Sequence, residues 1–96
     1  MYVVANTLRV PADRAARIEQ GFAHSAERMR QVPGCVRFTL LKEVSTTGEA
    51  VYVAMTHWQD EAVFRAWAAS DAFRQAHAGA GESGASGEVH TYTVVV

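Results

Sequence analysis

The sequence predicts an α+β domain in which helices cover one face of an antiparallel sheet. Three observations lead there. Period-two alternation marks four stretches, one at each end of the chain and two in the middle. Two other stretches carry apolar residues at helical spacing. Their order is β-α-β-β-α-β, the split βαβ arrangement.

Residues 2–10 (Tyr-Val-Val-Ala-Asn-Thr-Leu-Arg-Val) form the first expected strand. Tyr2, Val4, Asn6, Leu8 and Val10 share one side, with Val3, Ala5, Thr7 and Arg9 on the other. The first set is the more apolar and is expected to face inward, which puts the amide of Asn6 in an apolar row. Pro11 suits the first position of a following helix, with Asp13 and Glu19 in its early turns. Ile18, Phe22, Ala26 or Ser25, Met29 and Val32 make its apolar stripe, and Pro33-Gly34 ends it.

Residues 35–43 alternate again, with Val36, Phe38 and Leu40 opposite Arg37 and Thr39. A turn at Ser45-Thr-Thr-Gly48 leads to a strand over Val51–Trp58, and the pair is expected to form an antiparallel hairpin. Asp60-Glu61 opens a second helix containing Val63, Phe64 and Trp67. Ser70-Asp71 interrupts and recaps it, and a further turn runs through Phe73 to His77. Residues 78–87 hold four of the seven glycines and read as a loop before a last strand over 88–96. The result is a ferredoxin-like sheet with one helix-covered face and one open face carrying Val, Leu and Thr side chains. Pairing two such faces would bury them, so a homodimer of the dimeric α/β-barrel type is expected.

Ninety-six residues allow one domain, residues 1–96, and bury only about 60–65% of the unfolded surface, which also favours a subunit partner. The chain is 49% hydrophobic and 20% charged, a composition that folds. Nine Lys and Arg against ten Asp and Glu lack the basic excess of a nucleic-acid binder. All the basic residues but Lys42 are arginines, suited to carboxylate and phosphate pairing, although codon bias gives the same composition. The lone Cys35 excludes an internal disulfide and a multi-cysteine zinc site, and its neighbours do not lower a thiol pKa, so it reads as packing. No apolar run suits a membrane helix and no signal peptide is visible, so the expected location is cytoplasmic.

The residues able to carry chemistry are few. Asn6 offers two donors and one acceptor, and buried without partners it costs about 1–3 kcal/mol. A backbone carbonyl or water satisfies it most simply, and a ligand oxygen is the sharper alternative. Trp67 reads first as core and second as a flat wall against a planar ligand. His77 stands where an imidazolium complements a helix C-terminus, and one histidine also suffices as the axial ligand of a haem. His24, His57 and His90 lie on different elements and receive no role.

Together these segments resemble a known family. Val4-Ala5-Asn6-Thr7-Leu8-Arg9-Val10, Phe22-Ala23-His24, Pro33-Gly34 and Phe38-Thr39-Leu40-Leu41 carry the first half of the resemblance. Tyr52 to Trp58, Glu61 to Trp67 and Ser70 to His77 carry the second. The pattern over residues 2–77 is similar to the antibiotic biosynthesis monooxygenases, and within them to the small haem-degrading enzymes. Those carry an Asn on the first strand, a Trp on the second helix and a His near its end, which Asn6, Trp67 and His77 match in order and approximate spacing.

The resemblance implies haem as cofactor and substrate, opened with O2 and electrons from a reductase or chemical reductant to release iron. His77 is then the iron's axial ligand, Asn6 a hydrogen-bond donor on the opposite side, and Trp67 the group that buckles the porphyrin. Phe22, Phe64 and Arg28 are the further expected contacts. Some relatives place an Arg in mid-helix near the propionates, where this chain has Ser25, with Arg28 close by. Asn and Trp also recur in cofactor-free relatives that oxidise phenols to quinones, and a non-catalytic dimer binding a small ligand is the third reading.

Overall fold

The computed structural model describes residues 1–44, 47–76 and 86–96. Four strands among them form one sheet: β1 (Tyr2–Pro11), β2 (Cys35–Lys42), β3 (Glu49–Trp58) and β4 (Ser86–Thr93). Their order across the sheet is β2-β3-β1-β4, and every neighbouring pair is antiparallel. A short 3-10 turn (Ala12–Arg14) and α1 (Ala15–Met29) connect β1 to β2. The connection from β3 towards β4 holds α2 (Glu61–Ala68) and α3 (Asp71–Ala76). This is the predicted split βαβ topology.

The strand alternation decides what each face does. Val4 and Trp58 join Met29 of α1 in one core cluster, with Phe38, Val63, Phe64 and Trp67 packed around it. Val10, Ala50 and Tyr52 form a second cluster at the other end of the same face, joined by Leu8, Ala15, Ile18 and Leu40. Trp58, Tyr52 and Val10 are the most completely buried side chains among the described residues. Each contributes about 1.5–3 kcal/mol of apolar burial. A polar clasp holds α1 over the second cluster: the Tyr52 hydroxyl donates to Glu19 Oε2 at 2.6 Å, and Lys42 Nζ reaches the same oxygen at 3.1 Å. Those two donors hold the Glu19 carboxyl below its ordinary range, while burial, followed by the Glu19 contact, raises the Tyr52 phenol.

The helix boundaries follow from capping. Asp60 is extended, and its carboxylate accepts from Val63 N at 2.9 Å, which starts α2. Ser70 Oγ accepts from Phe73 N at 3.2 Å and restarts the chain as α3, as the sequence predicts. Gly34 has φ +86° and lies against α2, where an added Cβ would overlap Val63 Cγ1. It serves both as the left-handed residue after α1 and as the point where the chain meets α2.

Several boundaries differ from the sequence expectation. Pro11 is not a helical residue: it has ψ 141° and pairs in register with Glu49, so α1 begins only at Ala15. A proline fits a strand end as well as a helix start, and the partner strand decides. β3 correspondingly begins at Glu49 rather than Val51. β4 begins at Ser86 and ends at Thr93, because β1 offers partners as far as Arg9 and pairing outweighs the weak strand propensity of Ser86-Gly87.

The other face carries no helix among the described residues. Val3, Ala5 and Val51 are buried there among their strand neighbours, whereas Leu41 and Tyr92 stand exposed.

Candidate functional site

Between the two core clusters the helix-covered face of the sheet is interrupted by Asn6. It sits mid-strand on β1, paired with Ala54 of β3 and Val89 of β4. The small Ala54 and the bare Gly87, paired with the neighbouring Leu8, leave space around it. Asn6 Oδ1 is buried and has no hydrogen-bond partner among the described residues, the situation that costs about 1–3 kcal/mol. Asn6 Nδ2 is not among the buried, partnerless atoms, and an amide nitrogen is a donor.

An aromatic wall stands at one end of this space. Trp67 on α2 lies 5.2 Å from Trp58 and 4.9 Å, edge-on, from Phe73 of α3. Phe64 lies 5.5 Å from Trp58 and 5.7 Å from Tyr2. Trp58 is fixed in turn, because its Nε1 donates to Thr56 Oγ1 at 2.8 Å. The Ser70 hydroxyl donates to the Trp67 carbonyl at 2.5 Å and ties the end of α2 to the start of α3. On the α1 side Phe22 stacks on Phe38 with centroids 6.3 Å apart. Phe22, Phe64 and Trp67 are all half-buried, so each keeps surface available to a ligand.

The fold therefore brings Asn6, Phe22, Phe64 and Trp67 to the helix-covered side of the sheet. Arg28 is exposed on α1, next to the buried Met29. His77 lies outside the described residues, immediately after the last residue of α3. His24 is exposed, and His90 pairs with Glu88 at 2.8 Å. His57 occupies the open face of the sheet, and its buried Nδ1 has no hydrogen-bond partner among the described residues. Burial pushes the Cys35 thiol up, as suits a packing residue rather than a nucleophile. Among the described residues no three His, Cys, Asp or Glu side chains gather to hold a metal. Sequence reasoning missed Gly87 and the Thr56–Trp58 pair. In the sequence Gly87 is hidden among the loop glycines of 78–87, and Trp58 gives no signal, since a core tryptophan and a supporting one read alike.

The model of the antibiotic biosynthesis monooxygenase family matches residues 1–79. The chain belongs to that family. A relative from Mycobacterium tuberculosis, the mycobilin-producing heme oxygenase, is 40% identical over 77 residues, covering 80% of this chain and 70% of its own. The structure of the Mycobacterium tuberculosis heme-degrader MhuD, with two hemes bound in its active site, superimposes with a TM-score of 0.78 at 34% identity. That alignment covers 100% of this chain and 97% of MhuD. SnoaB, a cofactor-independent oxygenase from Streptomyces nogalater, gives a TM-score of 0.73 at 28% identity, over 99% of this chain and 94% of SnoaB. The relatives thus include both kinds of oxygenase that the family resemblance implies.

Proposed function

We propose that this family member is a haem-degrading monooxygenase. The observation that carries the reading is the 40% identity, over 77 residues and 80% of this chain, to the mycobilin-producing heme oxygenase. The site fits the group: a half-buried aromatic wall suits a flat macrocycle, and a sealed Oδ1 leaves Asn6 presenting a donor. Bound haem supplies the iron that activates O2 and is itself the substrate, its ring opened and its iron released with electrons from an external reductant or reductase.

The chain's own groups take separate tasks. His77 is the residue to hold the iron. Asn6 Nδ2 donates a hydrogen bond to the oxygen side of the site. Trp67, braced by Trp58 and Phe73, is a rigid surface able to press on a planar ring without yielding. Phe22 and Phe64 exclude water from the ring's faces, and Arg28 is the basic group offered to carboxylates at its rim. A second copy of the chain is the proposed cover of the open sheet face, shielding Leu41 and Tyr92, with the cytoplasm as the working compartment. Sedimentation at micromolar concentration checks the dimer, and a monomer would remove it.

The similarity to SnoaB supports one alternative, a cofactor-free oxygenation of a phenolic substrate positioned by Asn6 and Trp67. Single-turnover reactions separate the two. Haemin-loaded protein with ascorbate and catalase should lose its Soret band and yield a ring-opened pigment with free iron. Persistence of the Soret band, together with O2-dependent quinone formation from a hydroquinone by haem-free protein, would replace the reading with the alternative.

A further inference from the structure

Gly87 is a strand residue with no conformational reason to be glycine. Among the described residues only Gly34 and Gly48 have positive φ, and the β1–β4 register runs without a break from Tyr2↔Thr93 to Arg9↔Ser86. A glycine in a regular strand weakens it, and where no bulge or bend explains it, the usual reason is close approach of another group. Here that group is visible. A Cβ built on Gly87 would lie 3.3 Å from Asn6 Oδ1 and 3.5 Å from Leu8 Cδ2. The first of these is tighter than ordinary van der Waals contact; the second is ordinary.

We propose that Gly87 is a positioning residue for Asn6: its missing side chain gives the carboxamide oxygen a place against β4, which turns the Nδ2 donor towards the ligand. The inference rests on the reading of Asn6 as the ligand-facing donor, and it adds the residue that fixes which end of the amide is presented. Without that space the amide has no reason to keep its oxygen sealed and partnerless. A side chain at 87 pushes the carboxamide from its place and blurs or reverses the donor.

The test compares Gly87→Ala and Gly87→Val with wild type, using Gly21→Ala on α1 as the control, since a Cβ there meets nothing within 4 Å. Haem-free protein labelled with 15N is examined first, following the side-chain amide signals of Asn6, assigned by their loss in Asn6→Leu. The expected result is a displaced or broadened Asn6 signal in Gly87→Ala, more so in Gly87→Val, with no change in Gly21→Ala. Thermal stability of Gly87→Ala should match or exceed that of wild type, because the backbone there accepts alanine. An unmoved Asn6 signal in both Gly87 variants overturns the proposal, as does a melting temperature that falls in Gly87→Ala, the mark of a structural glycine. Haemin titration follows. Binding should persist while ring opening of the loaded protein slows about tenfold in Gly87→Ala, and a wild-type rate in that variant overturns the link to the ligand. Failure of wild type itself to bind haemin strikes the functional reading instead, and leaves the amide signals to decide the role of Gly87.

Discussion

Replacing Gly34 by alanine should damage the fold and the site through one joint. Gly34 holds φ +86° between α1 and β2, and its carbonyl accepts from Gln59 N at 3.0 Å. A left-handed backbone costs an ordinary residue about 1–2 kcal/mol. The new methyl would also overlap Val63 Cγ1 and meet Val63 Cβ at 3.2 Å. Relieving that overlap moves α2, an overpacking cost of about 1–3 kcal/mol. The sum, about 2–5 kcal/mol, corresponds to a fall in Tm of roughly 10–30 °C for a domain of this size. Val63 also precedes Phe64 on α2, so the aromatic wall moves with it. Calorimetry of Gly34→Ala, Val63→Ala and the double variant separates the two causes. The double variant should recover the steric part of the loss and retain the backbone part. A single variant melting within a few degrees of wild type would refute both, and a double variant with purely additive losses would refute the steric part.

The other predictions follow from individual contacts. Tyr52→Phe removes the donor to Glu19 and should cost about 1 kcal/mol, read as a lower Tm. Because the folded state depresses the Glu19 carboxyl, its contribution is present above the ordinary carboxylate value of 4.5 and is lost as the pH falls through the depressed folded value. Tm should therefore drop more steeply on acidification in wild type than in Tyr52→Phe, and identical slopes would contradict the clasp. Asn6→Leu removes a buried acceptor with no partner, so the apoprotein should be as stable or more stable, by up to about 1–3 kcal/mol, while ring opening slows. A lower Tm in that variant would mean that the amide is satisfied after all. Trp67→Phe should fold and bind haem but open the ring more slowly, which single-turnover absorbance decays measure directly.

The fold was legible because its signals are local. Alternation in 2–10, 35–43 and 51–58 and the spacing of Ile18, Phe22 and Met29 each specify an element, and Asp60 and Ser70 mark helix starts by their own chemistry. Pro11 and Ser86-Gly87 were misplaced because strand ends are set by the partner strand, as when Glu49 and Arg9 extend the pairing. Asn6 was conspicuous as an amide in an apolar row. Its sealed oxygen was not legible, since that depends on Gly87, far away in sequence and adjacent only once β4 pairs with β1. Trp67 was readable as a wall, but its bracing depends on Trp58 and Phe73 meeting it from two other elements.

The most direct test of the central claim is a haemin titration of the purified apoprotein followed in the Soret region, with His77→Ala measured alongside. The account predicts saturable binding with a shifted Soret band in wild type, and loss of that spectrum in His77→Ala while the far-UV circular dichroism is unchanged. No saturable binding at micromolar haemin, or the same spectrum in both proteins, would contradict it.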